Sequence, residues 1–437
     1  MAATLRTLTL GCKVNQYETE FVRQALLSAG YRDAADGEPA DLCIVNTCTV
    51  TAEADAKGRQ SIRHLARTNP QARIVVMGCY ATRQPGELAG LPSVVEVVTD
   101  KRELPDLLGR FGVVDVPKGI ATFGRRHRAY VKVQDGCLLR CTFCIIPQVR
   151  PHMYSRPMEQ VGDEILRLVD HGYREIVLTG IHLGHYGVDF NRGRPREAWV
   201  RLDTLLRQIV RLRARTGVPF RVRLSSIEAT EVTRPLVETL AEFPREICPH
   251  LHVCLQSGSD RILRRMRRRW GVRRFVDRCM WIRQRLPQPA LTTDILVGFP
   301  GETEDDFDAT CRVADEVGFS KVHVFPFSPR QGTPAADMPD QVPAQVKHDR
   351  VRRLLQLEAA WRRRYYQSLV GRTLDVLVEA PLEHRPGWMQ GTSCRYAPVR
   401  WYAPQARAGE LLPVPIAAAE DDHLVGAPAA SDNASST

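Results

Sequence analysis

Six of the twelve cysteines in this chain fall into two sets of three, and each set has the makings of an iron–sulfur cage. Cys137, Cys141 and Cys144 form a compact CxxxCxxC within Asp135-Gly136-Cys137-Leu138-Leu139-Arg140-Cys141-Thr142-Phe143-Cys144. A loop with that spacing can offer three thiolates to three corners of a [4Fe–4S] cube. Cys12, Cys48 and Cys79 are scattered, yet each closes a short apolar run. Three protein ligands per cluster leave one iron open to a small molecule, so the pattern points to chemistry rather than support. Zinc is the competing reading, because Cys-x-x-Cys also occurs in zinc sites, which normally take four ligands. No Cys or His follows Cys144 at zinc-ribbon spacing, and His152 is the nearest candidate.

The elements that must position these thiols alternate between strand and helix over residues 1–118. Strands are expected over 5–10, 42–45 and 73–77, ending at Gly11-Cys12, Asn46-Thr47-Cys48 and Gly78-Cys79. Neighbouring strands of a parallel sheet present their carboxyl ends on one edge, where ligand sites gather, so three loops there can bring distant thiols together. Asn15 is expected to cap the first helix, with Glu18 as its capping-box partner and Gly30 as its stop. A second helix is expected over 54–66. Cys43 lies inside the second strand and reads as core.

Residues 119–368 repeat the alternation on a larger scale. Strands are expected over 129–133, 175–178, 220–224, 251–255, 293–297 and 321–325. Helices are expected over 158–171, 202–215, 233–243, 273–285 and 303–317. Six such units with right-handed crossovers curl into an open barrel whose active site lies at the carboxyl ends of its strands. The CxxxCxxC follows the first of these strands. An arginine-rich helix over 344–367 closes the unit. Residues 369–428 then read as a small β-barrel. Trp388, Tyr396, Trp401 and Tyr402 lie there among Arg395, Arg400 and Arg407, a mixture suited to looped or single-stranded RNA or to an ordinary β core. Residues 429–437 read as a disordered tail. The expected class is thus α/β: an N-terminal parallel α/β domain, a partial (β/α)6 barrel and a small C-terminal β-barrel.

The net charge of +11 is carried largely by arginine and suggests an anionic partner such as RNA. Eight arginines crowd residues 261–274, either as a solvated helix face or as contacts to phosphates. No apolar stretch is long enough to span a bilayer. The N-terminus lacks an apolar signal core, and the cysteines read as thiols of a reducing cytosol, so a cytoplasmic location is expected. His182, His185, His250 and His252 fall near strand ends but are assigned no metal. Cys248, Cys254, Cys279, Cys311 and Cys394 show no ligand spacing and read as small apolar residues.

The CxxxCxxC, with the aromatic Phe143 before its last cysteine, resembles the signature of the radical S-adenosylmethionine (SAM) superfamily. That resemblance implies an open iron that binds the amino and carboxylate groups of SAM, and one-electron cleavage to a 5′-deoxyadenosyl radical. Glycines and polar residues at later strand ends would then hold the cofactor: Gly180, Ser226, Glu228, Gln256, Asp294 and Gly298, together with Phe143. No catalytic side chain beyond the cluster ligands is assigned. The joint pattern is more specific. Gly11-Cys12-Lys13-Val14-Asn15-Gln16-Tyr17-Glu18-Thr19-Glu20, Asn46-Thr47-Cys48 and Gly78-Cys79-Tyr80, followed by CxxxCxxC and a terminal β module, resemble the methylthiotransferase family over about residues 5–426. The resemblance implies two [4Fe–4S] clusters, an auxiliary one on Cys12, Cys48 and Cys79 and a radical one on Cys137, Cys141 and Cys144, with SAM as cofactor and methyl source. It also implies a terminal TRAM domain that grips RNA and a tRNA anticodon stem-loop as partner of a monomeric enzyme.

Cys12-Lys13-Val14-Asn15-Gln16 looks most like the branch acting on N6-threonylcarbamoyladenosine, directly 3′ of the anticodon at position 37. The branches acting on isopentenyladenosine and on a ribosomal protein are the alternatives. A non-enzymatic RNA-binding protein with structural or redox-sensing cysteines is the rival class. The sequence names neither sulfur donor nor reductant. It departs from the family where Arg150 is followed by Pro151 rather than glycine, so a loop near the radical cluster is expected to differ in path or contacts.

Overall fold

The computed structural model describes residues 2–124 and 126–427. The expected tail over 429–437 lies outside the described residues.

The N-terminal sheet is parallel, in the order Arg32–Asp33, Thr4–Thr9, Leu42–Thr47, Arg73–Gly78, Val94–Val97. Leu42–Thr47 is buried at every position, as expected for a central parallel strand covered on both faces. Thr9 pairs with Asn46, and Thr47 with Gly78, so the three strand ends that precede Cys12, Cys48 and Cys79 line up on one edge. The helix Lys13–Ser28 packs on this sheet and on the barrel strand Arg128–Asp135. Its start corrects the expectation for Asn15 and Glu18. Cys12, not Asn15, is the N-cap, and it contributes no side-chain cap. Asn15 and Glu18 are buried inside the helix and point to partners distant in sequence.

The six expected barrel strands all form: Arg128–Asp135, Glu175–Gly180, Arg221–Leu224, His250–Val253, Ala290–Val297 and Lys321–Pro326. They divide between two four-stranded sheets. The chain bends at Ser225, so Arg221–Leu224 pairs with Glu175–Gly180 while Ser226–Ile227 pairs with His250–Val253. One apolar core runs between these strands and their helices and includes Tyr17 of the N-terminal helix. The helix Ala344–Gln367 buries Leu354, Trp361, Tyr365 and Tyr366 against the barrel and the C-terminal unit.

Thr373–Pro381, Trp388–Ser393, Pro398–Tyr402, Leu411–Ala419 and Leu424–Gly426 close into a small barrel. It docks on the first residues of the parallel strands. Glu175, fully buried, accepts from Arg221 Nε at 2.7 Å and Arg223 Nε at 2.9 Å. The same two guanidinium groups donate to the carbonyls of Asp375, Thr392, Ser393 and Cys394. Tyr396 lies against His250 with ring centroids 5.0 Å apart. This corrects part of the RNA reading. Trp401 is core, Tyr396, though still exposed at its edge, lies against the larger barrel, and Arg395 donates to the carbonyls of Pro287 and Gln288. Tyr402 and Arg407 remain exposed, with Trp388 and Arg400 half-buried.

Candidate metal centres

Glycine with positive φ introduces three of the six cysteines. Gly11 has φ +99°, Gly78 +101° and Gly136 +77°. At Gly78 a Cβ would lie 2.3 Å from Asn46 Oδ1 and from the Thr47 carbonyl, so no larger residue can pass this strand end. A Cβ on Gly11 would meet Cys48 Cβ at 2.8 Å, which places the Cys12 turn directly on Cys48. Asn15 Nδ2 joins the two turns, donating to the carbonyls of Leu10 and Thr47, each at 3.0 Å. Cys12 and Cys79 both lie near enough to oppose ionisation of Cys48, whose thiol burial pushes up to about 11. The scattered trio is therefore one constellation.

The second trio is pinned from behind. A Cβ on Gly136 would sit 2.2 Å from the His152 carbonyl. Thr142 donates through its backbone to Met266 O at 3.1 Å and through its hydroxyl to Arg265 O at 2.9 Å. Arg268 reaches Cys141 Sγ at 3.4 Å while paired with Glu228. His182 Nδ1 lies 3.6 Å from Cys137 Sγ. Burial pushes the Cys137 thiol up to about 11 and that of Cys144 to about 12.

Both donor sets fit iron–sulfur clusters better than single ions. All six cysteines are free thiols. Four thiolates around one zinc, at 2.3 Å each, stand about 3.8 Å apart. Among the described residues, the groups whose ligand atoms all fall within 4.8 Å of one another are His182–His185–Glu231 and His252–Cys254–Asp294, and neither cysteine trio is one of them. The wider spacing and soft donors suit a cube held by three thiolates with one corner open. His152, the sequence candidate for a fourth ligand, is exposed.

The two trios lie on elements that touch. Cys79 packs with Ile145, Ile146 and Val149, the residues that follow Cys144. Around this contact Arg150 is buried and bonded to both halves: Nε lies 3.3 Å from Cys79 Sγ, and the other arms hold Glu18, Asp135 and Asn15. Burial would raise the Glu18 pKa, but Arg150 and Lys132 outweigh it and hold the carboxyl down to about 2. On the Cys48 side, buried Arg330 pairs with Asp55 and with Thr49, tying the barrel's last loop to the first sheet.

The residues expected to hold SAM divide. Phe143 stands edge-on to Phe299, with centroids 6.5 Å apart, beneath the cysteine loop. Gly180 ends a strand of one half-sheet, and Ser226, exposed, opens the short strand Ser226–Ile227 of the other. Glu228 is not a free polar tip, since Arg268 and Trp270 Nε1 both donate to it. Gln256, at φ +66°, bridges to Ile295 by accepting from Leu296 N and donating to Asp294 O. Asp294 faces His252 Nε2 at 3.3 Å. At Gly298 the backbone N donates to Glu302 at 2.6 Å, and a Cβ there would strike Lys347 at 2.3 Å.

Sequence reasoning gave no role at the site to Arg150, Arg268, His182 or Lys13, which the structure places around the cysteines. Lys13 lies close enough to His250 and His323 to oppose their protonation, and among the described residues the lysines paired with carboxylates are Lys57, Lys132 and Lys321, not Lys13. Arg268 was visible only as one of eight arginines. Of that run, Arg261 is spent on Asp306, whereas Arg264, Arg267, Arg269, Arg273 and Arg274 are exposed with no carboxylate in reach among the described residues.

Comparison with known proteins agrees with this geometry. The model described as "Uncharacterized protein family UPF0004" matches residues 4–100, and that of the radical SAM superfamily matches residues 131–314. The threonylcarbamoyladenosine tRNA methylthiotransferase MtaB of Bacillus subtilis is 40% identical over 395 residues, covering 86% of this chain and 85% of that one. Its counterpart in Chlamydia pneumoniae is 39% identical over 379 residues, 86% of this chain and 87% of that one. The tRNA-2-methylthio-N(6)-dimethylallyladenosine synthase of Mycobacterium sp. (strain MCS) is 36% identical over 450 residues, 97% of this chain and 84% of that one. Among solved structures, the radical SAM methyltransferase TsrM of Kitasatospora setae superposes with a TM-score of 0.56 at 15% identity, covering 77% of each chain, a likeness of fold.

Proposed function

The chain belongs to the radical SAM methylthiotransferase family, and on that premise we propose that it converts N6-threonylcarbamoyladenosine beside the tRNA anticodon to its 2-methylthio derivative. The observation that carries this reading is the packing of Cys79 on the segment after Cys144, which sets two cysteine trios around one contact between the first sheet and the barrel. The adenine C2–H bond is unactivated, and acid–base groups do not readily replace its hydrogen. When bound, the two [4Fe–4S] clusters and SAM supply the radical, sulfur and methyl chemistry that this replacement needs. The protein's part is placement. Cys12, Cys48 and Cys79 hold the auxiliary cluster, Cys137, Cys141 and Cys144 the radical one. Gly180, Ser226, Gln256 and Asp294 line the cofactor's side of the barrel. Phe143 packs beneath the cysteine loop, and Glu228 acts by orienting Arg268.

The threonylcarbamoyl group carries a carboxylate, and the isopentenyl group is apolar. Lys13, beside Cys12 and without a carboxylate partner among the described residues, supports the former substrate. The five exposed, unpaired arginines over 264–274 and the open face of the C-terminal barrel support a tRNA anticodon stem-loop as partner. No helix among the described residues is long and apolar enough to cross a membrane. The working enzyme is a cytoplasmic monomer with functional units over 1–118, 119–368 and 369–428.

Nucleoside mass spectrometry of tRNA from a strain lacking the gene tests this reading. The expected result is loss of the 2-methylthio derivative with N6-threonylcarbamoyladenosine left in its place. Loss of the methylthio group from isopentenyladenosine instead, or unchanged tRNA, overturns the substrate.

A further inference from the structure

Arg150 is 4% exposed, and every arm of its guanidinium is committed. Nη1 donates to Glu18 Oε1 at 2.8 Å and to both oxygens of Asp135 at 2.9 Å. Nη2 donates to Glu18 Oε2 and Asn15 Oδ1, each at 2.9 Å. The two bonds to Glu18 fix the plane of the group, since a guanidinium is a rigid fork. With the plane fixed, Nε–H has one direction left, and Cys79 Sγ lies along it at 3.3 Å.

Lys132 Nζ lies 2.7 Å from Glu18 and 2.5 Å from Asp135, so the two cations in direct contact face two carboxylates, with Lys101 near enough to act on both. Glu18 and Asp135 thus offset most of the positive charge behind the bond to sulfur. A hydrogen bond donated to a ligand thiolate draws electron density from the cluster and favours its reduced state. The partners also come from both halves. Asn15 and Glu18 stand on the helix that Cys12 opens, and Asp135 precedes Gly136-Cys137.

We infer that Arg150 is a positioning residue that sets the reduction potential of the auxiliary cluster through its N–H···S bond to Cys79, with Glu18 as its counterweight. This rests on the reading that Cys79 ligates that cluster. It goes beyond that reading in assigning a role to a side chain that touches neither substrate nor iron.

The test is a potentiometric titration, followed by electron paramagnetic resonance, of the full-length chain carrying Cys137→Ala, Cys141→Ala and Cys144→Ala, so that only the auxiliary cluster reports. Arg150→Lys keeps the charge but cannot offer all three arms. It is expected to retain iron and sulfide while its reduction equilibrium shifts about tenfold toward the oxidised state, about 59 mV lower for one electron. Glu18→Gln leaves the donor and removes a compensating negative charge, so its potential is expected to rise. Unchanged potential in a cluster-loaded Arg150→Lys variant, or shifts of the same sign in both variants, overturns the inference. Should Arg150→Lys fail to hold a cluster, Glu18→Gln decides alone, and an unmoved or lowered potential there overturns it. A parent protein that binds no auxiliary cluster overturns the ligand assignment itself, a distinct failure.

Discussion

Replacing Gly78 by alanine is expected to empty the auxiliary site and spare the radical one. Gly78 has φ +101° and ψ −171°, a region that only glycine visits freely, and forcing alanine there costs about 1–3 kcal/mol. The new Cβ would lie 2.3 Å from Asn46 Oδ1 and the Thr47 carbonyl and 2.6 Å from Thr47 N. Two of those contacts are backbone of the central buried strand and cannot swing aside, which adds about 1–3 kcal/mol of overpacking. The sum is about 2–6 kcal/mol, roughly a 30-fold to 10⁴-fold shift. It falls on the residue before Cys79, so the strand end moves and its thiol leaves the constellation. The chain should still fold, because the rest of the sheet is untouched. Iron and sulfide analysis after anaerobic reconstitution should show half the wild-type content. Assays should still find 5′-deoxyadenosine but no methylthiolated nucleoside. Gly136→Ala, whose Cβ would strike the His152 carbonyl at 2.2 Å, should give the mirror result: half the iron, and neither product. A Gly78→Ala protein with full iron content and normal methylthiolation would refute the claim that these turns set the cysteine constellation.

Three further outcomes are expected. Glu175→Gln leaves Arg221 and Arg223 buried without their counter-charge and should destabilise the docked C-terminal barrel by about 3–5 kcal/mol, read as earlier cleavage near residues 368–373 in limited proteolysis. Burial would raise the Glu175 pKa, but Arg223 and Arg221 outweigh it and hold the carboxyl well below the ordinary range. Its contribution is therefore present above the ordinary carboxylate pKa and lost only as pH falls through the lower folded value, so docking in the wild type should weaken in strong acid and not near neutrality. Lys13→Met should raise KM for tRNA bearing N6-threonylcarbamoyladenosine about tenfold or more, the worth of a hydrogen bond to a charged group, and an unchanged KM would remove Lys13 from substrate recognition. Cluster loading should strengthen as pH rises from 7 to 9, because the thiols of Cys48, Cys137 and Cys144 must each release a proton that burial holds on up to about 11 or 12; pH-independent iron uptake would count against this.

The strands and their order of use were legible because buried parallel strands are short apolar runs, and those over 5–10, 42–45 and 73–77 each meet a cysteine within three residues. Cys12, Cys48 and Cys79 could be placed on one edge by that rule alone. Asn15 and Glu18 were misread because a polar residue three positions before a glutamate looks the same whether it caps a helix or serves a partner far away. Arg150, 132 residues from Glu18, recruits both, and no local pattern announces such a pairing. It drew notice only through the proline after it. Trp401 and Arg395 take the second of the two readings given for that module, packing rather than RNA contact. A mixture of aromatics and arginines fixes composition but not direction, and in a five-stranded barrel alternate residues face inward. The pairing of Glu228 with Arg268 was not legible, because Arg268 lay hidden among similar neighbours.

The C-terminal barrel is seated on Arg128, Glu175, Arg221 and His250, which open their strands, while the cysteines follow the far ends of parallel strands. Strands of six to eight residues put roughly 20 Å between the two ends. The docked barrel and the cysteine turns are thus held apart by the length of the barrel wall. On the function proposed above, a free nucleoside would reach one end and miss the other, whereas a folded hairpin would span both, so the fold would act as a ruler that adds a distant hold to the recognition of the base itself.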